Sequence, residues 1–123
     1  NYAGIPGTQL SVSTILHYGY HEGRLSLSEI QELMSENAAK RYGIYPQKGI
    51  IQVGSDADFS VINLNKEWLV ESSRLESKGK YSPLEGKKLK GRVLMTIIRG
   101  EVVYQDGKGI IGRKGYGQFV KNK

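Results

Sequence analysis

The hydrophobic pattern of the chain changes its period near Tyr45-Pro46, and this change limits the folds that the sequence can adopt. Before this dipeptide, apolar residues recur every three or four positions, as on one side of a helix. After it, they alternate with polar residues or form short runs, which is typical of strands. Helices that precede strands without alternating with them indicate an α+β protein, with a division at Gly43 to Pro46.

Two helices are predicted before this division. The apolar residues at helical spacing are Leu10, Ile15, Leu16 and Tyr20 in the first helix, and Leu27, Ile30, Leu33 and Met34 in the second. Gly23 is the expected end of the first helix, and Ser26 and Glu29 form a capping box at the start of the second. The second helix is expected to break near Glu36 and to be followed by a short helical turn that ends at Gly43. Helices this short cannot bury their apolar residues against each other, so we expect a partner outside this chain.

Four strands are predicted after Pro46. Their expected ranges are Phe59 to Leu64, Trp68 to Val70, Arg92 to Ile98 and Glu101 to Tyr104. Arg99-Gly100 has the length of a two-residue hairpin turn between the last two strands. The polar segment Glu71 to Gly91 contains Pro83 and is expected to be an extended excursion, and the glycines from Gly109 to Gly117 are expected to form turns in a tail.

Length and composition exclude several classes of protein. With 123 residues and 38% hydrophobic content, the chain is one domain or a piece of a larger one. No apolar run approaches the roughly 18 residues of a membrane span, and the first residues lack a secretory signal, so we expect a cytoplasmic protein without a membrane partner. The absence of cysteine agrees with this compartment and excludes disulfides and thiolate metal sites.

The net charge of +6 has two interpretations, a nucleic-acid surface or a solvated basic face. The basic residues that lie close together in the sequence, with Tyr81 among them, are Lys78, Lys80, Lys87, Lys88, Lys90 and Arg92. No nucleic-acid-binding motif accompanies this cluster. We therefore expect a solvated face and no nucleic-acid partner.

Asp56 and Asp58 are the first candidates for chemistry. Alternate residues of a strand point to the same side, so the two carboxylates could hold a metal or share a proton. The preceding Gly54-Ser55 is instead typical of a turn that leads into a strand, where an aspartate accepts backbone N–H groups. No histidine or further acid follows within the strand, which favours the structural role.

His17 and His21 are the only histidines, and their spacing would put both imidazoles on one face of a helix. Zinc sites use this spacing, but the H-E-x-x-H motif is absent, and two ligands are too few for a closed site. We therefore expect a histidine pair with surface or structural contacts.

The GIPG stretch, Gly4 to Gly7, has two open interpretations. Pro6 fixes its own φ, and the flanking glycines let the backbone approach a ligand without a Cβ in the way. A pocket loop that binds a ligand through its main chain would use such residues. A simple loop before a helix would use them equally well.

Four stretches resemble the C-terminal region of the cyclic amidohydrolases, which include dihydroorotase, allantoinase and hydantoinase or dihydropyrimidinase. They are GRLSLSEIQELMSENAAKRYGIYPQKGIIQVGSDADFSVINL, SPLEGKKLKG, TIIRGEVVYQDG and GRKGYGQF. Together they cover nearly the whole chain in the order that the family uses.

The resemblance implies a metal-dependent (β/α)₈ barrel that hydrolyses a ring amide, accompanied by a small β-sandwich. Residues 1–45 would then be the terminal helices of the barrel, and residues 46–123 the C-terminal part of the sandwich and a tail. In this family, a hydroxide between two divalent metals, usually zinc, attacks the carbonyl. The family's metal ligands precede the matched region, so the resemblance implies a C-terminal fragment with no catalytic residue and no metal, inactive without the remainder of the barrel.

The resemblance also assigns roles to particular residues. The G-x-D-A-D pattern lies where the family's chain leaves the barrel, so Asp56 and Asp58 would be structural. Family members contact substrate through a loop that matches residues 2–7, largely by backbone groups. Ala3, Gly4 and Ile5 are therefore the candidate substrate-binding residues.

The substrate assignment depends on smaller similarities. Gln9, the SPLEG segment and the GQF ending resemble allantoinases, whereas GRKGYGQF also resembles hydantoinases. The expected substrate of the parent enzyme is allantoin, with dihydroorotate, hydantoin or dihydropyrimidine as alternatives, and a homo-oligomer is expected. The alternative class is a non-catalytic, dihydropyrimidinase-like scaffold that oligomerises without metal ligands.

Overall fold

Helices precede strands in the computed structural model, which describes residues 4–121, and the predicted α+β order is confirmed. The first helical stretch consists of a 3₁₀ turn (Thr8–Leu10), helix α1 (Ser11–Ile15) and a π-helical turn (Leu16–Tyr20). The second consists of helix α2 (Leu27–Gln31), a π-helical turn (Glu32–Glu36) and helix α3 (Asn37–Arg41). No helix among residues 4–121 is long and apolar enough to cross a bilayer.

The ends of these helices follow the local sequence signals. The Ser26 hydroxyl accepts from the Glu29 backbone N–H at 3.2 Å, and the Glu29 carboxylate accepts from the Ser26 N–H at 2.8 Å, which confirms the capping box. Gly23 and Gly43 have φ of +71° and +67°, the left-handed conformation of helix-ending glycines. The predicted break near Glu36 is wrong, because Glu36 has helical dihedrals (φ −65°, ψ −50°) and the chain continues directly into α3.

Four strands form one sheet in the order β1-β2-β3-β4. They are β1 (Phe59–Leu69), β2 (Lys88–Ile98), β3 (Glu101–Gln105) and β4 (Gly109–Ile110), and a short 3₁₀ helix (Ser72–Arg74) follows β1. β2 with β3 and β3 with β4 pair antiparallel. Arg99 and Gly100 both have positive φ (46° and 81°), as a type I′ turn requires, so the predicted hairpin is confirmed.

Two strand predictions are wrong. The segment predicted at Phe59 to Leu64 and most of the one predicted at Trp68 to Val70 belong to a single strand, β1, which ends at Leu69. The polar side chains between them are exposed and interrupt the apolar pattern without ending the strand. Gly109 was expected in a tail of turns, but it pairs with Gln105 as part of β4.

The chain divides into two compact units, each with its own buried residues. The first contains the described residues up to Arg24 and Asn63–Arg92, and the second contains Leu25–Ile62 and the described residues from Val93 onward. In the first unit the buried cluster consists of Leu10, Val70, Leu75 and Leu89, with Tyr18, Trp68 and Leu84 packed against it. In the second unit Ile30 and Ala39 are buried. The predicted boundary at residue 45 refers to the domains of a larger protein and stays a prediction.

Gly91 lets β2 approach the first helical stretch closely. Its φ is +101°, and a Cβ built on it would lie 2.8 Å from the Cβ of Leu16, a side chain that is 1% exposed. The indole N–H of Trp68 donates to the Gly91 carbonyl at 3.2 Å, which fixes the same point of the strand.

We expect Gly91→Ala to destabilise the 123-residue chain more than Gly86→Ala does. Both glycines have positive φ, but the space around Gly86 is open. Gly86→Ala therefore measures only the free energy lost by placing an alanine at positive φ. The added clash with Leu16 should cost about 1–3 kcal/mol more in the free energy of unfolding, measured by urea denaturation. Equal losses of unfolding free energy in the two variants would mean that Leu16 does not pack closely against Gly91.

Candidate functional site

The candidate substrate loop is the GIPG loop, residues 4–7, at the start of the first unit. Ala3, the first of the three candidate residues, lies outside the described residues. Gly4 has φ of +137°, a conformation that glycine adopts readily, and the side chain of Ile5 is 64% exposed. The Gly7 N–H donates to the Ile5 carbonyl at 2.8 Å, so the loop makes a tight internal turn before the helix.

A distant segment, residues 76–81, contacts this loop and the 3₁₀ turn that follows it. The Tyr81 hydroxyl donates to the Gly4 carbonyl at 2.6 Å, and the Glu76 N–H donates to the Gln9 side-chain oxygen at 2.8 Å. Neither contact can be predicted from the sequence, because partners separated by 67 and 77 residues leave no local or periodic signal.

Asp56 and Asp58 lie in the second unit, where both bind the ammonium of Lys48. The Lys48 Nζ lies 2.8 Å from Asp56 Oδ2, and it also pairs with Asp58 Oδ2. The Gln47 amide donates to Asp56 at 3.2 Å, and the Arg99 backbone N–H donates to Asp58 Oδ1 at 2.8 Å. An ammonium group therefore occupies the place between the two carboxylates that a metal ion would need.

The charges at this cluster shift its protonation equilibria. The hydrogen bond from Lys48, followed by the one from Gln47, lowers the pKa of Asp56. Burial opposes the charge on Lys48, but its hydrogen bonds to Asp56 and Asp58 outweigh burial and raise the pKa of the ammonium. Both shifts stabilise the charged forms, so this cluster is an ion-pair network rather than a proton donor poised near neutral pH.

His17 and His21 connect the first helical stretch to the sheet within the first unit. The Lys90 backbone N–H donates to His17 Nδ1 at 3.1 Å, and His21 Nε2 lies 2.8 Å from the Leu64 carbonyl oxygen, to which it donates. Each ring thus uses one nitrogen for a backbone contact on a different strand. The two histidines do not converge on a common point.

No group of three or more His, Cys, Asp or Glu side chains that could hold a metal ion occurs within residues 4–121. The two-metal site that the resemblance implies needs at least four such ligands, and the described residues do not fit it. Asp56 and Asp58 instead form ion pairs with the Lys48 ammonium. The two histidines form hydrogen bonds with backbone groups.

Comparison with known proteins decides the family. The model of the amidohydrolase family matches residues 6–103. The chain belongs to the amidohydrolase family. Its relatives include an L-hydantoinase of Paenarthrobacter aurescens, 42% identical over 98% of the chain, and a dihydroorotase of Geobacter sp. (strain M21), 45% identical over 85%.

Solved structures of hydantoinases have the same fold over this region. The L-hydantoinase (dihydropyrimidinase) of Arthrobacter aurescens matches 96% of the chain with a TM-score of 0.92 and 42% identity. A D-hydantoinase of Thermus sp. matches 97% with a TM-score of 0.90 and 33% identity. The chain spans only 26% of each of these proteins, about a quarter of an amidohydrolase of this kind.

We expect Asp56→Asn to reduce the dependence of stability on acid pH. The folded-state pKa of Asp56 is lowered from 3.8, so its contribution is complete above that value and is lost as the pH falls through the lowered pKa. The melting temperature, followed by circular dichroism, should therefore fall less between about pH 7 and about pH 2.5 in Asp56→Asn than in the unsubstituted chain.

Glu22→Gln is the matched control, because Glu22 forms an exposed ion pair with Arg24 at 2.6 Å, and exposed pairs contribute little. This variant should keep the acid sensitivity of the unsubstituted chain. Equal behaviour of the two variants would show that the Lys48 cluster makes no special contribution.

Proposed function

We propose that this chain forms the C-terminal part of a metal-dependent hydrolase that opens a cyclic amide ring. The observation that carries the proposal is the match of 98% of the chain to an L-hydantoinase at 42% identity. The relatives' names describe enzymes that act on hydantoins and dihydroorotate, which are both cyclic amides. The shared reaction is therefore the cleavage of a ring C–N bond by water.

In this proposal, residues 1–45 close a (β/α)₈ barrel, and residues 46–123 form part of a small β-sandwich and a tail. The exposed apolar residues of the second helical stretch support this placement against other parts of a barrel. Leu27, Leu33 and Met34 are 42%, 55% and 39% exposed, although they share the apolar stripe of Ile30, which is 8% exposed. A helix at the outside of a barrel would cover such side chains against the neighbouring strands and helices.

Amidohydrolases are typically metal-dependent, and we propose that two divalent ions, of which zinc is the expected one, bind upstream residues of the full-length protein. A metal pair supplies an activated water and polarises the scissile carbonyl. The described residues contribute other functions. The GIPG loop would form one wall of the substrate pocket, and the Lys48 cluster would hold the start of β1.

For the substrate, we propose a class of ring and not a particular substituent. Gln9, one of the residues that suggest allantoin, uses its side-chain oxygen to accept the Glu76 N–H at 2.8 Å, so it has a structural role that any substrate would permit. Allantoin contains a hydantoin ring, and the relatives' names include hydantoinases. We therefore propose a hydantoin-type or dihydropyrimidine-type ring as the substrate class, with allantoin as one member.

The test is an assay of the full-length protein with two metal equivalents against hydantoin, dihydrouracil, dihydroorotate and allantoin. We expect ring opening of at least one substrate, loss of activity with a chelator, and no activity of the 123-residue chain alone. A metal-free full-length protein that opens none of these rings but forms stable oligomers would instead support the non-catalytic scaffold. Activity of the isolated chain would overturn the assignment of the chemistry to upstream residues.

A further inference from the structure

The peptide group between Gly4 and Ile5 is oriented by a side chain from a distant segment. The Tyr81 hydroxyl donates to the Gly4 carbonyl at 2.6 Å. Among residues 4–121 the only cis peptide bond is Tyr45-Pro46, so the Gly4–Ile5 bond is trans. In a planar trans peptide the C=O and N–H point in opposite directions. The hydrogen bond from Tyr81 therefore turns the Ile5 N–H away from the Tyr81 side of the loop.

Two carbonyl groups of this loop are already used internally. The Ile5 carbonyl accepts the Gly7 N–H at 2.8 Å, and the Gly7 carbonyl accepts the Leu10 N–H at 3.0 Å. Within residues 4–121 no backbone carbonyl accepts the Ile5 N–H. Pro6 carries no N–H and the Gly7 N–H is already bound, so the Ile5 N–H is a backbone donor of this turn that a ligand could use.

The Tyr81 ring is itself held in place by the strap, which we define as residues 76–81. A Cβ built on Gly79 would lie 3.1 Å from Tyr81 Cε1 and 3.8 Å from Pro6 Cγ, so the ring lies close to the strap backbone near the loop. Leu75, immediately before the strap, is 4% exposed in the buried cluster of the first unit. The Glu76 N–H donates to the side chain of Gln9, so the strap is also joined to the 3₁₀ turn that follows the loop.

We propose that Tyr81 is a positioning residue for substrate binding, which fixes the Gly4 carbonyl so that the Ile5 N–H donates to a carbonyl oxygen of the cyclic amide. This inference rests on the proposed function and adds to it a residue 77 positions away from the loop. Cyclic amides and imides present a carbonyl acceptor in the plane of the ring, which matches a single fixed backbone donor. Tyr81 does not touch the reacting atoms and acts through the peptide that it orients.

The test is Tyr81→Phe in the full-length enzyme, which removes the hydroxyl and keeps the ring. A contact to the ring that is equally strong in ground state and transition state affects substrate binding alone, so KM should rise while kcat stays unchanged. Loss of one oriented neutral hydrogen bond corresponds to a rise in KM of about 3- to 10-fold. The melting temperature is measured in parallel. If Tyr81 had only a structural role, Tyr81→Phe would lower the melting temperature without raising KM selectively over kcat.

Tyr116→Phe is the matched control, since the Tyr116 hydroxyl also donates to a backbone carbonyl, that of Ile98 at 3.1 Å, in the other unit. This variant should leave KM unchanged. An active enzyme in which Tyr81→Phe leaves KM unchanged, or in which both variants raise KM equally, overturns the role of Tyr81 and leaves the proposed function standing. A full-length protein that hydrolyses no cyclic amide overturns both.

Discussion

The ion pairs of Lys48 with Asp56 and Asp58 are the interaction on which the start of the sheet depends. They join the turn around residue 48 to the residues that lead into β1. Asp58 also accepts the backbone N–H of Arg99 at 2.8 Å, where the hairpin between β2 and β3 turns with positive φ. One cluster thus connects the turn at Lys48 and the start of β1 to the hairpin between β2 and β3, 41 residues further along the chain. The two carboxylates that are candidates for catalysis in the sequence therefore have structural contacts.

The two histidines likewise have structural contacts. A neutral imidazole has one donor and one acceptor nitrogen, and each ring here uses one of them for a backbone group of the sheet. The carboxylates of the Lys48 cluster and the two histidines thus contact other groups of the fold, and no group of three or more such side chains that could hold a metal ion occurs within residues 4–121. The candidate substrate contact among the described residues is the backbone of the GIPG loop.

Local features of the structure could be predicted from the sequence, whereas long-range contacts could not. The capping box at Ser26 and the hairpin turn at Arg99-Gly100 depend on a few neighbouring residues, and both are as predicted. The continuity of β1 was missed, because exposed polar residues in the middle of the strand resemble a loop when only hydrophobicity is considered. The contact of Tyr81 with Gly4 was missed for a different reason, since its segment has neither a helical nor a strand period.

We propose that the exposed apolar face of the second helical stretch packs against another part of a larger protein. The most direct measurement is the rate at which Met34, 39% exposed, is oxidised by dilute hydrogen peroxide, followed by peptide mass spectrometry. Met95, the other methionine and half-buried in β2, serves as the internal reference. We expect rapid oxidation of Met34 in the isolated chain and strong protection of Met34 in the full-length protein. Equal rates of Met34 oxidation in the two proteins would contradict it.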